Sequence, residues 1–323
     1  VSLLFPLLFF PPAVFATVKY VFRAPELDTD KPVVTPDGTA STDVDRTGTD
    51  EPDALGRTRR KYCYNILVSG LDDDNGGSDT NILVRFDVPN KRIDLVSLPR
   101  DTLLHNEYRN NKLNFAYAKG GTELLMEQIE NLLGIPVDFY VTVNLKGFIA
   151  LVDQIDGVDF DIPINMDYDD PYQDLHIHFT KGPRHLNGQE AMEVVRFRHN
   201  NDGTGYGTED IGRIGTQQAF LKAVAKQLLQ IGNVKNIPAL VDIFYTYVKT
   251  DLTTGNLVWL GNEALNIGTE NIHFATLPGD GSGYYNKQSV YVLDAQATCD
   301  LVNEALNPYN EALTLEDMDI LVP

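Results

Sequence analysis

Residues Asn65–Thr102 read NILVSGLDDDNGGSDTNILVRFDVPNKRIDLVSLPRDT, and this stretch decides the fold. Three apolar runs within it, Asn65–Ser69, Asn81–Phe86 and Ile93–Leu98, predict neighbouring β-strands. An acidic, glycine-rich loop separates the first two runs, and a Pro-Arg-Asp segment follows the third. Because a rigid sheet can aim side chains at its strand ends into a cleft, these residues predict a metal and phosphate site. The alternative is a solvated acidic turn beside an ordinary sheet.

Outside this stretch, helical and extended patterns alternate along the chain. Thr122–Leu133 and Leu145–Ile155 carry apolar residues at helical spacing, whereas Asp138–Asn144 and Val158–Ile162 are typical of strands. This alternation predicts an α/β domain in which a central mixed β-sheet is flanked by helices on both faces. The later pattern predicts helices at Gly188–Arg196, Arg213–Ile231, Ile237–Lys249, Asn256–Leu265 and Leu293–Leu306, a strand at Ile272–Leu277 and a glycine-rich loop at Gly279–Gly283.

The bulk composition limits the class of protein and its partners. The 323 residues are 43% hydrophobic, which is ample for a packed core in one large or two small domains. The formal net charge of −20 at pH 7 argues against a nucleic-acid partner and against unaided adsorption to an anionic membrane surface. Both of these need a net basic face. An anionic substrate must therefore be bound by local clusters of cations.

The cysteines and histidines show no zinc-binding spacing. Cys63 and Cys299 form no C-x-x-C motif, and we expect two buried free thiols rather than the single disulfide that two cysteines also allow. His176 and His178 alternate in the strand-like run LHIHF, so their side chains lie on one side of it. Surface histidines are favoured there over metal ligands.

The first sixty residues differ from the rest of the chain. Residues 1–22 are strongly apolar with no charge before Lys19, which favours a membrane segment or signal anchor over a buried core segment, although three prolines disfavour a regular helix. The predicted organisation is this segment at 1–22, a disordered acidic, Pro- and Thr-rich linker at 23–60, a folded domain at 61–310 and a C-terminal tail at 311–323. We therefore expect a single-pass protein of the cell membrane whose domain is tethered close to the bilayer, and the composition does not indicate on which side.

Two carboxylates of the acidic loop are candidate metal ligands. Asp72 ends the first strand, and Asp79 follows two glycines that let the loop fold back and bring the two carboxylates together. Oxygen-rich, thiol-free ligation of this kind suits Mg²⁺, with Mn²⁺ as an alternative, together with water and substrate phosphate. Asp73 and Asp74 are expected to be surface residues of the turn.

A second set of candidate residues is cationic. Arg196 and Arg198 are two positions apart, so on an extended segment both guanidinium groups lie on the same side and match the oxygens of a pyrophosphate. Arg213 opens a predicted helix, whose N-terminal dipole also favours anions. The alternative is that these arginines only pair with acidic neighbours.

Seven sequence blocks follow one another between Tyr64 and Leu229: SGLD, GGSDT, SLPRDT, NKLNFAYAKGG, VDFYVTVNLKGFIALVDQIDGVDFDIP, LNGQEAMEVVRFRH and EDIGRIGTQQAFL. In these blocks and in their order, the chain resembles the LytR-CpsA-Psr family of cell-wall glycopolymer transferases. The resemblance implies a single domain of that type in an extracytoplasmic, Mg²⁺-dependent enzyme. Such an enzyme moves a glycan phosphate, as in teichoic acid or capsule attachment, from a polyprenyl-pyrophosphate carrier to a muramic-acid hydroxyl of peptidoglycan.

The resemblance also implies roles for individual residues. Asp72 and Asp79 match the Mg²⁺ ligands, and Asp210 and Gln217 match polar site residues around the last helix. The residues that match the pyrophosphate clamp are Arg100, Lys112, Arg196, Arg198 and Arg213. Arg100 would stabilise developing charge, while Asp101, Asp210 or a metal-bound water would accept the proton of the acceptor hydroxyl. Apolar faces of the flanking helices would form a tunnel for the prenyl chain.

Two positions depart from the family pattern. The family usually has an arginine just before the SDT block and another in an RxxRQQ pattern, where this chain has Gly77 and Thr216. The loss of two cations keeps open a non-catalytic module that binds polyprenyl pyrophosphate, and a pyrophosphatase acting on the same carrier is a further alternative. The remaining ligands and arginines favour the transferase.

Overall fold

The structure is a computed structural model that describes residues 23–27, 33–34, 40–41, 52–53, 55–71, 76–172, 174–206, 209–230 and 246–322. Several predictions lie outside the described residues: the membrane segment at 1–22, Asp72 with its neighbours Asp73 and Asp74, and most of the helix predicted at Ile237–Lys249. The side chain of Asp210 lies outside them as well. Among the described helices, none combines the length and the apolar character that a membrane span requires.

The described residues form a mixed sheet surrounded by helices and hairpins. The strands are Val33–Val34 (β1), Ala40–Ser41 (β2), Cys63–Leu71 (β3), Ser78–Asp87 (β4), Arg92–Leu98 (β5), Phe139–Asn144 (β6), Val158–Ile162 (β7), Met166–Asp170 (β8), Leu175–Phe179 (β9), Gly182–Leu186 (β10), Val248–Thr250 (β11), Ile272–Thr276 (β12), Gly279–Tyr285 (β13) and Gln288–Leu293 (β14). The α-helices are Leu113–Leu133 (α1), Leu145–Gln154 (α2), Gly188–Arg196 (α3), Glu209–Gln230 (α4), Thr254–Ile267 (α5) and Ala295–Ala305 (α6). Short 3₁₀ turns occur at Thr269–Asn271 and Leu315–Asp317.

The central sheet has the strand order β11-β6-β3-β4-β5-β12. Strand β3 is parallel to β6 and β5 is parallel to β12, whereas β4 is antiparallel to both of its neighbours and β11 is antiparallel to β6. Strands β3, β5, β6 and β12 therefore end at the same edge of the sheet. In open α/β sheets, ligands bind beyond such carboxyl ends. The topology thus places a candidate binding edge after Leu71, Leu98, Asn144 and Thr276.

Helices cover both faces of the sheet. Successive residues of a strand point to opposite faces, and on β3 Leu67 joins a core cluster with Ile129 of α1 and Val302 of α6. Its neighbour Ile66 joins a different cluster with Leu260 of α5. This confirms the predicted mixed sheet with helices on both sides.

A third cluster lies beside the sheet. It contains the buried rings of Phe160, Phe197 and Phe220, which come from β7, from the residue after α3 and from α4. Phe160 and Phe220 meet edge to face, with ring centroids 5.5 Å apart. The two-stranded sheet of β7 and β10 and the β8–β9 hairpin cover this cluster. It positions α3, α4 and the β8–β9 hairpin next to the carboxyl edge of the sheet.

Packing also includes residues on either side of 61–310. Arg57 pairs with Asp53 at 3.1 Å, and both side chains are buried. At the other end, Leu313 and Met318 are buried in the cluster that contains α1. The folded part therefore begins by Asp53 and includes the segment around Met318.

Three local predictions were wrong. The predicted loop at Gly279–Gly283 is part of β13, because its backbone pairs with β14 in a bulged hairpin. Residues 248–249 were predicted to end a helix but begin β11. Helix α1 begins at Leu113 rather than Thr122 and is kinked at Gly120 and Gly121, where Gly121 has a φ of 67°. The expectation of two free thiols is confirmed. Cys63 and Cys299 form no disulfide bond with each other, and both are buried.

Candidate functional site

A cleft of about 420 Å³ lies at the carboxyl edge of the sheet. Leu71 at the end of β3 and Asn144 at the end of β6 line it from the sheet side, and Arg196 and Gln217 line it from α3 and α4. The predicted site residues that line this one cleft are Asp79, Arg100, Arg196, Arg198, Arg213 and Gln217. Residues more than a hundred positions apart in the sequence are therefore brought together.

Asp79 and Arg100 form a direct ion pair at the floor of the cleft. Nη1 of Arg100 donates to Oδ1 of Asp79 at 2.5 Å. Asp101, the next residue, lines a small adjoining pocket of about 50 Å³ together with Arg213 and Gln217. Its Oδ1 lies 3.2 Å from Nζ of Lys112 and 3.7 Å from Nε of Arg100. Side chains of alternating charge thus form a row from the end of β5 to the start of α1, in the order Asp79, Arg100, Asp101 and Lys112.

Backbone hydrogen bonds hold the Pro-Arg-Asp segment in place. The carbonyl of Arg100 accepts from the amide of Asn114 at 2.9 Å, and the carbonyl of Asp101 accepts from the amide of Tyr291 at 2.8 Å. The segment is therefore fixed between the first turn of α1 and strand β14. This explains why a turn after β5 can present Arg100 in a defined direction.

Arg196 and Arg198 reach the cleft from the end of α3. That helix begins with a capping box at Asn187 and Glu190, and the buried residue after it, Phe197, leaves the helical conformation with a φ of −59° and a ψ of 133°. Arg196 is the last helical residue, so the two arginines are not on one extended segment as predicted. Both nevertheless line the cleft, because the buried Phe197 between them fixes the chain direction. Arg198 is exposed and makes no ion pair with a described carboxylate.

Helix α4 is tied to both sides of the cleft by two glutamines. Nε2 of Gln217 donates to the carbonyl of Val195 at 3.0 Å. Nε2 of Gln218 donates to the carbonyl of Ala275 at 2.8 Å and to Oγ1 of Thr276 at 2.7 Å. These bonds join α4 to the end of α3 and to β12, and they hold Arg213 over the cleft one turn earlier.

The two departures from the family pattern differ in their surroundings. Thr216 is buried and its hydroxyl donates to the carbonyl of Gly212 at 3.1 Å. Tyr206 packs against Gly212, where an added Cβ would lie 2.1 Å from Cβ of Tyr206. Burial raises the pKa of the Tyr206 phenol above its ordinary value. An added Cβ at Gly77 would meet, among the described residues, only the backbone carbonyl oxygen of Asn114, at an ordinary contact distance of 3.7 Å.

One wall of the cleft is apolar. Its members come from the central sheet, from helices α2, α3 and α4 and from the β8–β9 hairpin, and include Val68, Leu71, Ile82, Val143, Leu145, Phe148, Tyr168, Leu175, Val195, Phe220 and Leu221. The cleft therefore combines a cationic floor with a hydrocarbon-compatible side, as is common in sites for amphipathic ligands.

The described donor atoms fit a hard divalent cation in chemical type. Asp79 supplies a carboxylate whose Oδ1 accepts from Arg100, and its Oδ2 has no hydrogen-bond partner among the described residues. Thr80 follows it along the cleft, so oxygen atoms dominate this corner. Mg²⁺ prefers such ligands, completed by water and phosphate. The second predicted ligand, Asp72, lies outside the described residues.

Other residues are placed where the sequence did not predict them. Lys112 contacts Asp101 and does not line the cleft. Conversely, Phe148, Tyr168 and His199 line the cleft although none was predicted as a site residue; Phe148 and His199 lie within the quoted sequence blocks, and Tyr168 lies outside them. The ring of Tyr168 meets His199 edge to face at 5.6 Å. The one sequence signal for Tyr168 was the alternation of apolar and polar residues in β8. This alternation predicts which side chains point inward, but it does not predict which residues they contact.

Comparisons with known proteins agree with this geometry. The LytR_cpsA_psr family matches residues 34–307. TagV of Bacillus subtilis (strain 168), a polyisoprenyl-teichoic acid–peptidoglycan teichoic acid transferase, is 32% identical over 252 residues, which are 74% of this chain and 62% of TagV. TagU of Bacillus cereus, named for the same activity, is 31% identical over 81% of this chain and 83% of TagU. The crystal structure of B. subtilis TagV aligns with a TM-score of 0.65 and 27% identity, covering 81% of this chain and 100% of that one.

Proposed function

We propose, because the chain belongs to the LytR_cpsA_psr family, that it transfers a glycan phosphate from a polyprenyl-pyrophosphate carrier to peptidoglycan. The names of TagV and TagU support this reaction class. The observation that carries the proposal is the cleft, in which four arginines lie beside an apolar wall. A lipid pyrophosphate has the same two parts, an anionic head and a hydrocarbon chain.

The arginines bind and orient the pyrophosphate. Guanidinium groups form paired hydrogen bonds with phosphate oxygens, so Arg196, Arg198 and Arg213 surround the anion from α3 and α4. Arg100 approaches from the sheet and is held by Asp79. The apolar wall takes the prenyl chain, and water is displaced from the cationic floor, where charge interactions become stronger.

The reaction exchanges one phosphorus–oxygen bond for another. The hydroxyl oxygen of peptidoglycan attacks the glycan-side phosphorus, and the bond from that phosphorus to the bridging oxygen breaks. Polyprenyl monophosphate leaves with the additional negative charge, which Arg100 stabilises. The hydroxyl proton passes to Asp101 or Asp210, our two candidate side-chain bases.

Mg²⁺, or Mn²⁺ in its place, would be held by Asp79 together with Asp72 and would neutralise the pyrophosphate charge when bound. Arg100 already compensates the Asp79 carboxylate without metal. We therefore expect the apo site to keep its shape. Activity that is unaffected by removing divalent cations with EDTA would contradict this part of the proposal.

We also propose that the domain acts outside the cell and is held at the membrane by residues 1–22. The apolar composition of that segment and the acidic linker after it support this placement. The direct measurement is treatment of intact cells with a membrane-impermeant protease. The protease should remove the domain from the cell surface.

The test of activity is in vitro transfer from a lipid-pyrophosphate-linked glycan to peptidoglycan fragments. Asp72→Ala and Arg196→Ala should each lower the rate by about 10- to 100-fold, the effect of losing one charged interaction of about 1.5–3 kcal/mol. Arg184→Ala is the matched control, because this exposed arginine pairs with Glu190 at 2.7 Å and does not line the cleft.

The outcomes separate the alternatives. Wild-type rates in both variants would refute the assignment. Tight lipid binding without turnover would instead identify a carrier-binding module, and phosphate release without acceptor would identify a pyrophosphatase. Comparing Asp101→Asn with Asp210→Asn in the same assay then separates the two side-chain bases, since the base variant should lose activity while retaining lipid affinity.

A further inference from the structure

The β8–β9 hairpin carries a second cluster of metal-binding groups, on the side that faces away from the cleft. The strand register pairs Asp167 with His178 and Asp169 with His176. Because alternate residues share a face of a strand, all four side chains lie together on the outer, exposed face. Tyr168 belongs to the opposite face and lines the cleft.

Short contacts connect the four side chains. Oδ1 of Asp169 lies 2.5 Å from Nδ1 of His176 and 3.4 Å from Nε2 of His178. Nδ1 of His178 lies 2.8 Å from Oδ1 of Asp167. One ligand atom each from Asp169, His176 and His178 can be chosen so that all lie within 4.8 Å of one another. Among the described residues, this is the group of three such side chains that meets that spacing.

The ligand types select the class of metal. Imidazole nitrogen binds Zn²⁺ and Cu²⁺ well, whereas Mg²⁺ and Ca²⁺ prefer sets made only of oxygen. In a tetrahedral zinc site with bonds of about 2.0–2.1 Å, neighbouring ligand atoms are about 3.3 Å apart. The 3.4 Å between His178 and Asp169 already fits this spacing. We propose that Asp169, His176 and His178 form a surface site for a divalent transition-metal cation such as Zn²⁺, with water as the fourth ligand.

The backbone under the site is fixed before any metal binds. Oδ1 of Asn200 accepts from the amide of Asp167 at 2.7 Å, and Oδ1 of Asn201 accepts from the amide of Asp169 at 3.0 Å. The amide of Asn201 donates to the carbonyl of Asp167 at 3.1 Å. The strand that carries the carboxylates is thereby held from its free edge, which lowers the ordering cost of chelation.

The site also connects to the cleft through a short path. Asn200 and Asn201 follow Arg198 in the chain, and the inner face of the same hairpin contributes Tyr168 and Leu175 to the apolar wall. A metal on the outer face would therefore stiffen one wall of the cleft. The residues that bind this metal are different from the carboxylate ligands proposed around Asp79.

The experiment is calorimetric titration of the untagged full chain with ZnCl₂ at about pH 8. Hydrogen bonds to Asp169 and Asp167 raise the pKa values of His176 and His178 above the ordinary value for histidine. A mildly alkaline buffer therefore reduces the competition between protons and Zn²⁺ for the imidazole nitrogens. We expect one equivalent of Zn²⁺ to bind. His176→Gln and His178→Gln should each weaken binding by at least about tenfold, the loss caused even by supporting residues of metal sites.

The chain offers two matched controls. His185 pairs across strands with Asp159 at 2.8 Å and is exposed in the same way, but it has no second imidazole beside it. His185→Gln should therefore bind Zn²⁺ like the unaltered chain. Asp79→Ala should also retain binding, which separates this site from the cleft and from the proposed function.

Spectroscopy keeps the test independent of affinity. Electron paramagnetic resonance of the Cu²⁺-loaded chain should show coupling to two nitrogens, and to one nitrogen in either single variant. Stoichiometric Zn²⁺ binding that survives in the His176→Gln/His178→Gln double variant would overturn the proposal. So would the absence of Zn²⁺ binding by the unaltered, folded chain.

Discussion

At one end of the central sheet arginines are buried against carboxylates, whereas at the other end they face a cleft. Arg59 pairs with Asp138 at 2.5 Å and Arg85 pairs with Asp94 at 2.7 Å, all with nearly inaccessible side chains. These residues lie where β3, β5 and β6 begin. Where the same strands end, Arg198 is exposed and has no carboxylate partner among the described residues.

The difference shows how one residue type takes two roles. A buried guanidinium is costly unless a carboxylate and further acceptors compensate it, and Arg59 also donates to the carbonyl of Cys63 at 2.8 Å. At the cleft, Arg100 pairs with Asp79, whereas Arg198 is exposed and makes no ion pair with a described carboxylate. An exposed guanidinium of this kind attracts an anionic ligand even in a chain that is acidic as a whole.

The largest expected effect on stability is at the paired end. Arg59→Ala leaves Asp138 buried without its cation, so the free energy of unfolding should fall by about 3–5 kcal/mol. Urea denaturation followed by circular dichroism measures this. Arg184→Ala, at an exposed pair with Glu190, should cost no more than about 1 kcal/mol. Equal losses in the two variants would show that burial does not distinguish these pairs.

At the cleft end the expected effect is on binding rather than stability. Arg198→Ala should change the free energy of unfolding by less than about 0.5 kcal/mol, because an exposed side chain without an ion pair is removed. Its transfer rate should fall by about 10- to 100-fold. Arg198→Lys should recover only part of this, since lysine lacks the forked donors. If Arg198→Ala lost stability but kept its transfer rate, the contrast between the two ends of the sheet would be wrong.

The two departures from the family pattern sharpen the comparison further. Thr216→Arg places a long cation in a buried position and should destabilise the domain by about 1–3 kcal/mol. At the partly exposed Gly77 an added Cβ makes only an ordinary contact, so Gly77→Arg should leave stability unchanged while raising affinity for inorganic pyrophosphate severalfold. Thermal unfolding and pyrophosphate titration measure the two effects. If Thr216→Arg is tolerated and Gly77→Arg is not, our description of their surroundings is wrong.

The smallest effect concerns the thiols. Burial raises the pKa of Cys63, at the paired end, to about 11 and also raises the pKa of Cys299. With a pKa of about 11, only about one Cys63 in a thousand is a thiolate at about pH 8, and reactivity rises toward alkaline pH. The native chain should therefore resist a thiol reagent such as Ellman's reagent, while both thiols react in urea. Rapid labelling of Cys63 in the native chain would contradict its burial.

Much of the fold and part of the site followed from local sequence. The strands at Asn65–Ser69 and Ile93–Leu98 were predicted because buried strands are short apolar runs. Arg100 was identified just after the second of these strands, and Asp79 just before the predicted strand at Asn81–Phe86. The loop prediction at Gly279–Gly283 failed because glycine composition says nothing about a pairing partner. The extended geometry predicted around Arg196 failed because α3 continues through that residue.

The alternation of strands and helices, the charge excess and the ordered motifs could all be predicted from the amino-acid sequence, because they depend on side-chain type and spacing along the chain. The three-dimensional packing was needed to show which ends of the strands meet and which arginines are buried against carboxylates. It also decided that the histidines of LHIHF, which the sequence favoured as plain surface residues, face Asp167 and Asp169. Register and strand order are long-range properties, since each is set by packing between segments that local patterns cannot relate.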